Sequence, residues 1–381
     1  MGQRKIVPPE HPGTFVLEEL EARGWSQTDL AYILDMKPQQ LNPLLNGKAN
    51  ITPDLAAQLG DAFDMPADFF ANLQQMYDLG KAKPVDPGVK TRASWLSVFP
   101  VRDMIRRGWI EETEPGLLDL QMLRFFGKNR VEDIPFIGDG PIVAHAAKKS
   151  AYESTTPIQY AWLHRVMKVA EQMEVPEYSE AKLRASIRLI KAHLLDREDL
   201  IKIPSIIMEC GVRFVLVEAL AGTKIDGVCV WNGYKPAIGM TLRLDRLDNF
   251  AFVLRHEIEH VLCEHGLANS FTPVDEFNED SFDESGDLPE EEQIANRAAA
   301  EFCIPKEKLD SFLMRKGNFI SEQDVLAFSA RLEVHPAIVI GQIQHKRKKY
   351  GWLRKYQTSI KNYLTSWQYA DGWGRTVPTG L

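Results

Sequence analysis

The stretch Arg255-His256-Glu257-Ile258-Glu259-His260 lies inside an apolar run that extends from Phe250 to Cys263, as an interior helix requires. On an α-helix, residues four apart lie on one face, so His256 and His260 can offer imidazole nitrogens to one metal ion. Glu257 lies beside them, within reach of a metal-bound water. This HExxH arrangement is typical of zinc peptidases. The alternative is a pair of packed, hydrogen-bonded histidines that bind no metal.

A helix that begins near Pro289 can supply the third ligand. Proline is favoured in the first turn of a helix, and the acidic residues that follow it suit the positive end of the helix dipole. Glu292 and Asn296 are one turn apart, so a carboxylate ligand and an amide that hydrogen-bonds to the ligands can face the same site. Glu291 is the alternative carboxylate, but only Glu292 is in register with Asn296. The predicted Zn2+ ligands are His256, His260 and Glu292, with Glu257 as the general base.

Composition indicates an ordinary globular protein without a membrane segment. The 381 residues are 44% hydrophobic and 26% charged, and they contain no apolar run of about 18 residues that could span a bilayer. The N-terminus lacks the apolar core of a secretory signal. The four cysteines are widely spaced, without a CxxC pair, which favours buried thiols in a reducing compartment. The sequence therefore predicts a cytoplasmic protein.

Residues 1–80 predict an N-terminal domain built from short helices. Gly24 is a helix-ending residue, and Ser26 is a good N-cap for the helix that follows. A tight turn at Asp35-Met36-Lys37 connects this helix to the next, which ends at Asn46-Gly47. Two short helices joined in this way are the pattern of a helix-turn-helix.

The same domain contains the motifs His11-Pro12-Gly13, Ser26-Gln27, Leu44-Leu45-Asn46-Gly47-Lys48, Ile51-Thr52 and Leu73-Gln74-Gln75-Met76-Tyr77-Asp78-Leu79. With these motifs it resembles the HigA-like antitoxin branch of the lambda-repressor-type (XRE) helix-turn-helix family. The resemblance implies operator DNA as a partner, and glutamine and asparagine amides can bond bidentately to adenine. The DNA-contacting residues that it implies are Gln27 at the phosphate backbone, Gln39, Gln40 and Asn42 in the major groove, and Lys48.

Two features count against DNA binding by this domain. Pro43 lies inside the predicted recognition helix, where it removes a main-chain hydrogen bond and favours a kink. Residues 1–80 contain five basic and eleven acidic residues, a net charge of −6, whereas phosphate contacts supply much of the affinity for DNA. A domain that serves protein contacts or dimerisation is the alternative.

The rest of the chain predicts a helical layer, a small sheet and the HExxH helix. A strand at 212–217 and a hairpin that turns at Asn232-Gly233 precede the motif. The predicted fold class is mostly α with a small β-sheet (α+β), with a five-helix helix-turn-helix bundle, a helical middle layer and a zincin-like metallopeptidase domain. The predicted segments are 1–80 (helix-turn-helix), 81–95 (linker), 96–200 (helical connecting region), 201–352 (peptidase domain) and 353–381 (C-terminal tail).

Short motifs occur in a fixed order around HExxH, and they include Gly211-Val212, Asp226-Gly227, Arg243 to Asn249, Glu292-Gln293-Ile294-Ala295-Asn296 and Ile304-Pro305. This order resembles the ImmA/IrrE metallopeptidase family. The resemblance implies the same zinc ligands and the same base, and typical members cleave a repressor protein under stress or act as regulators. Glu259 stands where the family usually has a small residue, and it adds negative charge near the metal.

Three features of the second half of the chain leave alternatives open. The residue that donates a hydrogen bond to the oxyanion of the transition state could be His265, His335 or Arg255. The stretch 275–292 holds ten acids and no base, and it is read as a solvated loop or a gate over the cleft. The basic residues of 346–355 are read as a solvated helix end or a nucleic-acid contact.

Together these patterns predict a regulatory zinc metallo-endopeptidase whose activity is conditional. The expected substrate is a repressor or antitoxin protein, and further expected partners are operator DNA, a toxin and a second copy of the chain. The rival is a HigA-like antitoxin or transcriptional repressor that uses the peptidase fold for sensing or binding. Cleavage that depends on Glu257 distinguishes the first function, and salt-dependent operator binding supports the second.

Overall fold

A computed structural model describes residues 10–86, 88–111, 114–137, 155–267, 289–317 and 319–379 of the chain. The chain divides into two compact units, Met1–Asp86 and Pro87–Leu381. It is mostly helical with a four-stranded sheet, which confirms the predicted α+β fold class. Among the described residues, no helix has the length and apolar character needed to cross a membrane. Most of the acidic stretch, residues 275–288, lies outside the described residues.

The first unit is a bundle of five helices, as predicted. Local sequence signals set its helix ends: Ser26 and Asp29 form a capping box, and Gly24 adopts a left-handed conformation (φ 67°) after the first helix. Leucines, Phe63 and Phe70 fill the core. The helices are α1 (Pro12–Arg23), α2 (Gln27–Ile33), α3 (Pro38–Leu45), α4 (Pro53–Phe63) and α5 (Ala67–Lys81).

Gly13 permits the close approach of α1 and α3. A Cβ atom at this position would lie 2.0 Å from the carbonyl oxygen of Leu44. His11 caps α1, since its Nδ1 accepts a hydrogen bond of 3.0 Å from the N–H of Gly13. Its ring packs edge-on against Tyr77 of α5. The motif His11-Pro12-Gly13 therefore fixes the position of α3 within this unit.

Helices of the second unit pack on both faces of its sheet. Part of the predicted linker forms the first of them, in which Trp95 is buried and donates a hydrogen bond of 2.6 Å to Asp119. The helices are α6 (Gly88–Leu96), α7 (Val101–Arg106), α8 (Leu118–Phe126), α9 (Pro157–Glu171), α10 (Glu180–His193), α11 (Ile203–Glu209), α12 (Leu247–Leu262), α13 (Glu290–Cys303), α14 (Lys306–Lys316), α15 (Glu322–Leu332), α16 (Pro336–Arg347) and α17 (Lys361–Leu364).

The sheet has the strand order β2-β3-β1-β4. Strands β2 and β3 form the predicted antiparallel hairpin, which turns at Gly233 (φ 60°). Strand β1 is parallel to both β3 and β4. The strands are β1 (Arg213–Val217), β2 (Gly227–Asn232), β3 (Lys235–Met240) and β4 (Ala370–Asp371).

Both faces of the sheet are buried. Successive side chains of a strand point to opposite faces, so Phe214 and Leu216 of β1 join one hydrophobic cluster and Val215 and Val217 join another. The first cluster includes the apolar residues of the HExxH helix α12, and the second includes those of α9. The helical region before the sheet thus supplies the layer opposite the HExxH helix.

The C-terminal segment, predicted as a tail, is part of the second unit. Its strand β4 pairs with β1, and the indole N–H of Trp367 donates a hydrogen bond of 3.1 Å to the carbonyl oxygen of Phe214. Asp371 has no exposed surface and forms an ion pair with Arg165 of α9. These contacts join residues far apart in the sequence, so local patterns gave no sign of them.

Candidate metal centre

Helix α12 holds the HExxH residues in a nearly dry environment. His256 and Glu257 have no exposed surface, and His260 is 5% exposed. The apolar residues of the helix pack on almost every side of it, with Phe252 stacked beside the ring of His256. The burial that the sequence required of this helix is therefore present.

Helix α13 packs against α12 and brings Glu292 to the two histidines. One carboxylate oxygen of Glu292 lies 3.2 Å from Nε2 of His256, and the other lies 3.3 Å from Nε2 of His260. The three residues each offer one ligand atom, and these three atoms lie within 4.8 Å of one another. Glu291 is exposed. Of the two carboxylates considered, the structure brings Glu292 to the site.

This donor set fits Zn2+. A tetrahedral zinc ion with bonds of about 2.0–2.1 Å has donor atoms about 3.3 Å apart. The two nitrogen–oxygen separations agree with this value, and the two Nε2 atoms are 2.8 Å apart, a distance that a small rotation of either ring increases. Two imidazoles and one carboxylate leave a coordination position for water, as in catalytic zinc sites.

The charge state of Glu292 also suits a ligand. Burial by itself would raise the pKa of this carboxyl group. Hydrogen bonds and charge interactions with His256 and His260 outweigh burial, and they hold the pKa of Glu292 well below its usual range. The group is therefore ionised at neutral pH, which is the form that binds a metal.

Glu257 lies against the first residue of strand β2. A Cβ atom on Gly227 would be 2.3 Å from Oε1 of Glu257 and 2.7 Å from a methyl carbon of Val253. Any larger residue at this position would force the carboxylate, Val253 or the strand to shift. In the sheet formed by the described residues, β2 is an edge strand. The candidate base is thus positioned next to the edge of the sheet, a contact that the sequence motif Asp226-Gly227 marked only by resemblance.

Glu259 does not leave an uncompensated charge beside the site. Its carboxylate forms an ion pair of 2.6 Å with Arg255 on the preceding turn of α12, and both side chains are largely buried. Arg255 is thereby engaged with Glu259. His335, another candidate oxyanion donor, caps α16 by accepting a hydrogen bond of 3.1 Å from the N–H of Ala337.

Two polar residues lie in the surroundings of the ligands. Asn296 follows Glu292 by one turn on α13, and its buried side-chain oxygen accepts no hydrogen bond from the part of the chain that the structure describes. Nδ1 of His265 lies 2.9 Å from Nδ1 of His260. Burial lowers the pKa of His265, and the neighbouring His260 lowers it further. The sequence suggested His265 only as an oxyanion donor and missed its contact with a ligand.

The five candidate DNA-contacting residues are all exposed in the first unit. Part of the Gln40 amide is engaged, since its oxygen accepts a hydrogen bond of 2.9 Å from the N–H of Lys37 at the start of α3. Pro43 lies inside α3, and the helix continues beyond it to Leu45. The exposed residues are Gln27, Gln39, Gln40, Asn42 and Lys48.

The basic stretch at 346–355 is engaged with other parts of the second unit. Lys346 forms an ion pair with Asp310, and Lys355 forms one of 2.6 Å with Glu322. Arg347 donates a hydrogen bond to the carbonyl oxygen of Gly317. These contacts favour the reading as a solvated helix end.

The two units define a helix-turn-helix domain of the DNA-binding regulator type and a metallopeptidase-like domain. The helix-turn-helix family matches residues 16–70, and the peptidase family described as IrrE N-terminal-like domain matches residues 213–340. The chain therefore belongs to the helix-turn-helix family in its first unit, and residues 213–340 of its second unit are similar to the IrrE N-terminal-like peptidase family. Both resemblances inferred from the sequence motifs are confirmed.

Three similar proteins each match about a fifth of the chain. Virulence-associated protein A' of Dichelobacter nodosus is 32% identical over 82 residues, which are 21% of this chain and 71% of that protein. The uncharacterized HTH-type transcriptional regulator YddM of Escherichia coli is 30% identical over 83 residues, which are 22% of this chain and 88% of that protein. A solved structure of an addiction module antidote protein of a HigA family from Coxiella burnetii is 30% identical, with a TM-score of 0.19, and covers 20% of this chain and 99% of its own.

Proposed function

We propose that this protein is a regulatory zinc metallo-endopeptidase that cleaves a repressor or antitoxin protein. The observation that carries the proposal is the convergence of His256, His260 and Glu292 beside the buried carboxylate of Glu257. The family match of the second unit supports peptidase chemistry, and the helix-turn-helix of the first supports a regulatory setting.

Each residue of the site has a distinct role in the proposed reaction. His256, His260 and Glu292 would hold Zn2+, which supplies a Lewis acid toward a water molecule and a peptide carbonyl. Glu257 accepts the proton of the attacking water and delivers it to the leaving amine. The apolar packing of α12 excludes bulk water, so the carboxylate acts in surroundings of low dielectric constant.

Strand β2 offers a surface on which an extended peptide can be held. Pro236 of β3 has no N–H, so its pair with Trp231 is not hydrogen-bonded. Bonded and non-bonded pairs alternate along an antiparallel ladder, so the main-chain groups of Gly227 and Trp231 point away from β3. A peptide paired with these groups would lie beside Glu257, because a Cβ atom on Gly227 would be only 2.3 Å from Oε1 of that carboxylate.

Elemental analysis of the purified protein tests the metal centre. We expect about one zinc ion per chain in the wild type and loss of that zinc in His260→Ala, since removal of one of three protein ligands opens the site. His193→Ala is the matched control: His193 is a half-buried histidine that pairs with Asp199 on another part of the unit, and it should leave the zinc content unchanged. Absence of zinc from the wild type, even after zinc is supplied, would contradict the proposal.

The alternative function is an antitoxin or transcriptional repressor that binds operator DNA. The exposed polar side chains of α3 and the similarity to an HTH-type transcriptional regulator favour it. A toxin partner and a homodimer would accompany this function. Under this alternative function, the peptidase fold would serve for sensing or binding.

Selection from a random duplex library, followed by mobility shifts at low and high salt, tests DNA binding. We expect enrichment of a specific sequence, salt-dependent binding, and a loss of about 1–3 kcal/mol for each of Gln39→Ala and Asn42→Ala, because a bidentate amide–adenine contact is lost. Gln58→Ala, an exposed glutamine on α4, is the control and should bind normally. If no sequence is enriched even at low salt, the domain serves protein contacts instead.

A further inference from the structure

The turn that ends helix α12 folds His265 back over His260. The N–H of His265 donates a hydrogen bond of 2.9 Å to the carbonyl oxygen of His260, and the N–H of Glu264 donates one of 3.2 Å to Val261. Glu264 has the left-handed conformation (φ 55°) that such a helix end uses. In this type of turn, the second residue past the cap contacts the helix residue five positions before it. Here those two residues are His265 and His260, and their Nδ1 atoms are 2.9 Å apart.

The metal site determines the direction of this side-chain hydrogen bond. A neutral imidazole that binds a metal through Nε2 carries its proton on Nδ1. Nε2 is the nitrogen that His260 directs towards Glu292. With a metal on Nε2, Nδ1 of His260 would therefore donate this hydrogen bond, and Nδ1 of His265 would accept it.

We propose that His265 is a positioning residue that fixes the ring orientation and the tautomer of the metal ligand His260. This inference rests on the proposed function. Its physical basis is general: a ligand histidine whose second nitrogen has a fixed partner is a better donor and loses less rotational freedom on binding. His265 does not touch the reacting atoms in this role, and it acts through His260.

Strand β2 holds His265 in turn. The indole N–H of Trp231 donates a hydrogen bond of 3.0 Å to the carbonyl oxygen of His265, and the indole packs edge-on against Tyr178. Trp231 belongs to the strand on which we expect the substrate to pair. The ligand His260 is thus connected through His265 to the proposed peptide-binding strand.

Zinc affinity of the full chain, measured by competition with a chromogenic chelator, tests the inference without any cleavage assay. His265→Phe retains a ring but no acceptor, and we expect its zinc dissociation constant to rise by about 10- to 100-fold. His265→Asn places an acceptor oxygen at the same number of bonds from Cβ as Nδ1, and we expect it to restore affinity to within a few-fold of wild type. Thermal unfolding of both metal-free variants checks that they fold.

The outcomes separate this inference from the function on which it rests. Failure of the wild type to bind zinc overturns the metal centre and, with it, the role of His265. Equal affinities of the wild type and His265→Phe overturn only the role of His265. Equal losses in the Phe and Asn variants also overturn it, because they indicate a packing effect rather than a hydrogen bond.

Trp231→Phe provides a second measurement. We expect a smaller loss of zinc affinity than in His265→Phe, because this change loosens His265 without removing its acceptor. If Trp231 acts through His265, the double variant should bind zinc as the single His265→Phe variant does. Additive losses would show that the two residues act independently, and they would overturn the connection through β2.

Discussion

Glu257→Gln is expected to retain zinc and to lose cleavage. Glutamine has nearly the same shape as glutamate, but its amide cannot accept the proton of an attacking water. A positioned general base contributes about 10²- to 10⁴-fold to a rate, so we expect a loss of that size. The metal ligands are unchanged, so zinc content should equal that of the wild type. The measurements are elemental analysis and cleavage of a fluorescence-quenched peptide library and of helix-turn-helix repressor proteins.

Glu259→Gln is the matched control for this change. Glu259 is two residues away on the same helix, but its carboxylate pairs with Arg255. We expect the control to keep both zinc and cleavage. Undiminished cleavage by Glu257→Gln would exclude Glu257 as the base.

Gly227→Ala is expected to displace the carboxylate of Glu257 without changing its chemistry. The new methyl group would lie 2.3 Å from Oε1 of Glu257, so the carboxylate or the strand must move. Because a small displacement of a catalytic group is costly, cleavage should fall while zinc stays bound. Gly351→Ala is the control, since a Cβ atom there meets nothing within 4 Å. Normal cleavage by Gly227→Ala would mean that the position of Glu257 is not set by this strand.

The parts of the fold that local rules govern could be predicted from the sequence. Ser26 caps α2 because its hydroxyl oxygen accepts a hydrogen bond from the N–H of Asp29. This helix start therefore depends on only four consecutive residues. His256 and His260 share one face because the helix repeat requires it. Glu292 was chosen over Glu291 from its register with Asn296, and the structure brings Glu292 to the histidines.

The contacts that complete the site depend on tertiary structure and gave weaker signals. Gly227 meets Glu257 only after the sheet has packed on α12, so its sequence context indicated nothing about a carboxylate. His265 contacts His260 because a non-glycine residue, Glu264, adopts a left-handed conformation, whereas glycine is the usual sign of such a helix end. A two-residue strand such as β4 is too short to show any periodicity. The C-terminal segment therefore looked like a tail.

Asp371→Ala is expected to cause a large loss of stability in the second unit. Asp371 and Arg165 are almost fully buried, and two hydrogen bonds of 2.6 and 3.1 Å join them. The carboxylate also accepts hydrogen bonds from the indole N–H of Trp109 (2.7 Å) and the N–H of Val377 (2.8 Å). Alanine removes the acceptor of all these groups and leaves a buried guanidinium without its counterion. The expected cost is about 3–5 kcal/mol of the free energy of unfolding.

Urea unfolding followed by tryptophan fluorescence measures this loss. Seven of the eight tryptophans lie in the second unit, so the signal reports mainly on that unit. Asp133→Ala, which breaks an exposed pair with Arg130, is the control and should change the midpoint little. Joint replacement by Arg165→Met and Asp371→Leu should recover part of the stability, because it removes both buried charges but still leaves the N–H groups of Trp109 and Val377 without the carboxylate. An unchanged midpoint in Asp371→Ala would show that the guanidinium of Arg165 reaches water once its partner is removed. The C-terminal segment would then not hold the sheet against α9.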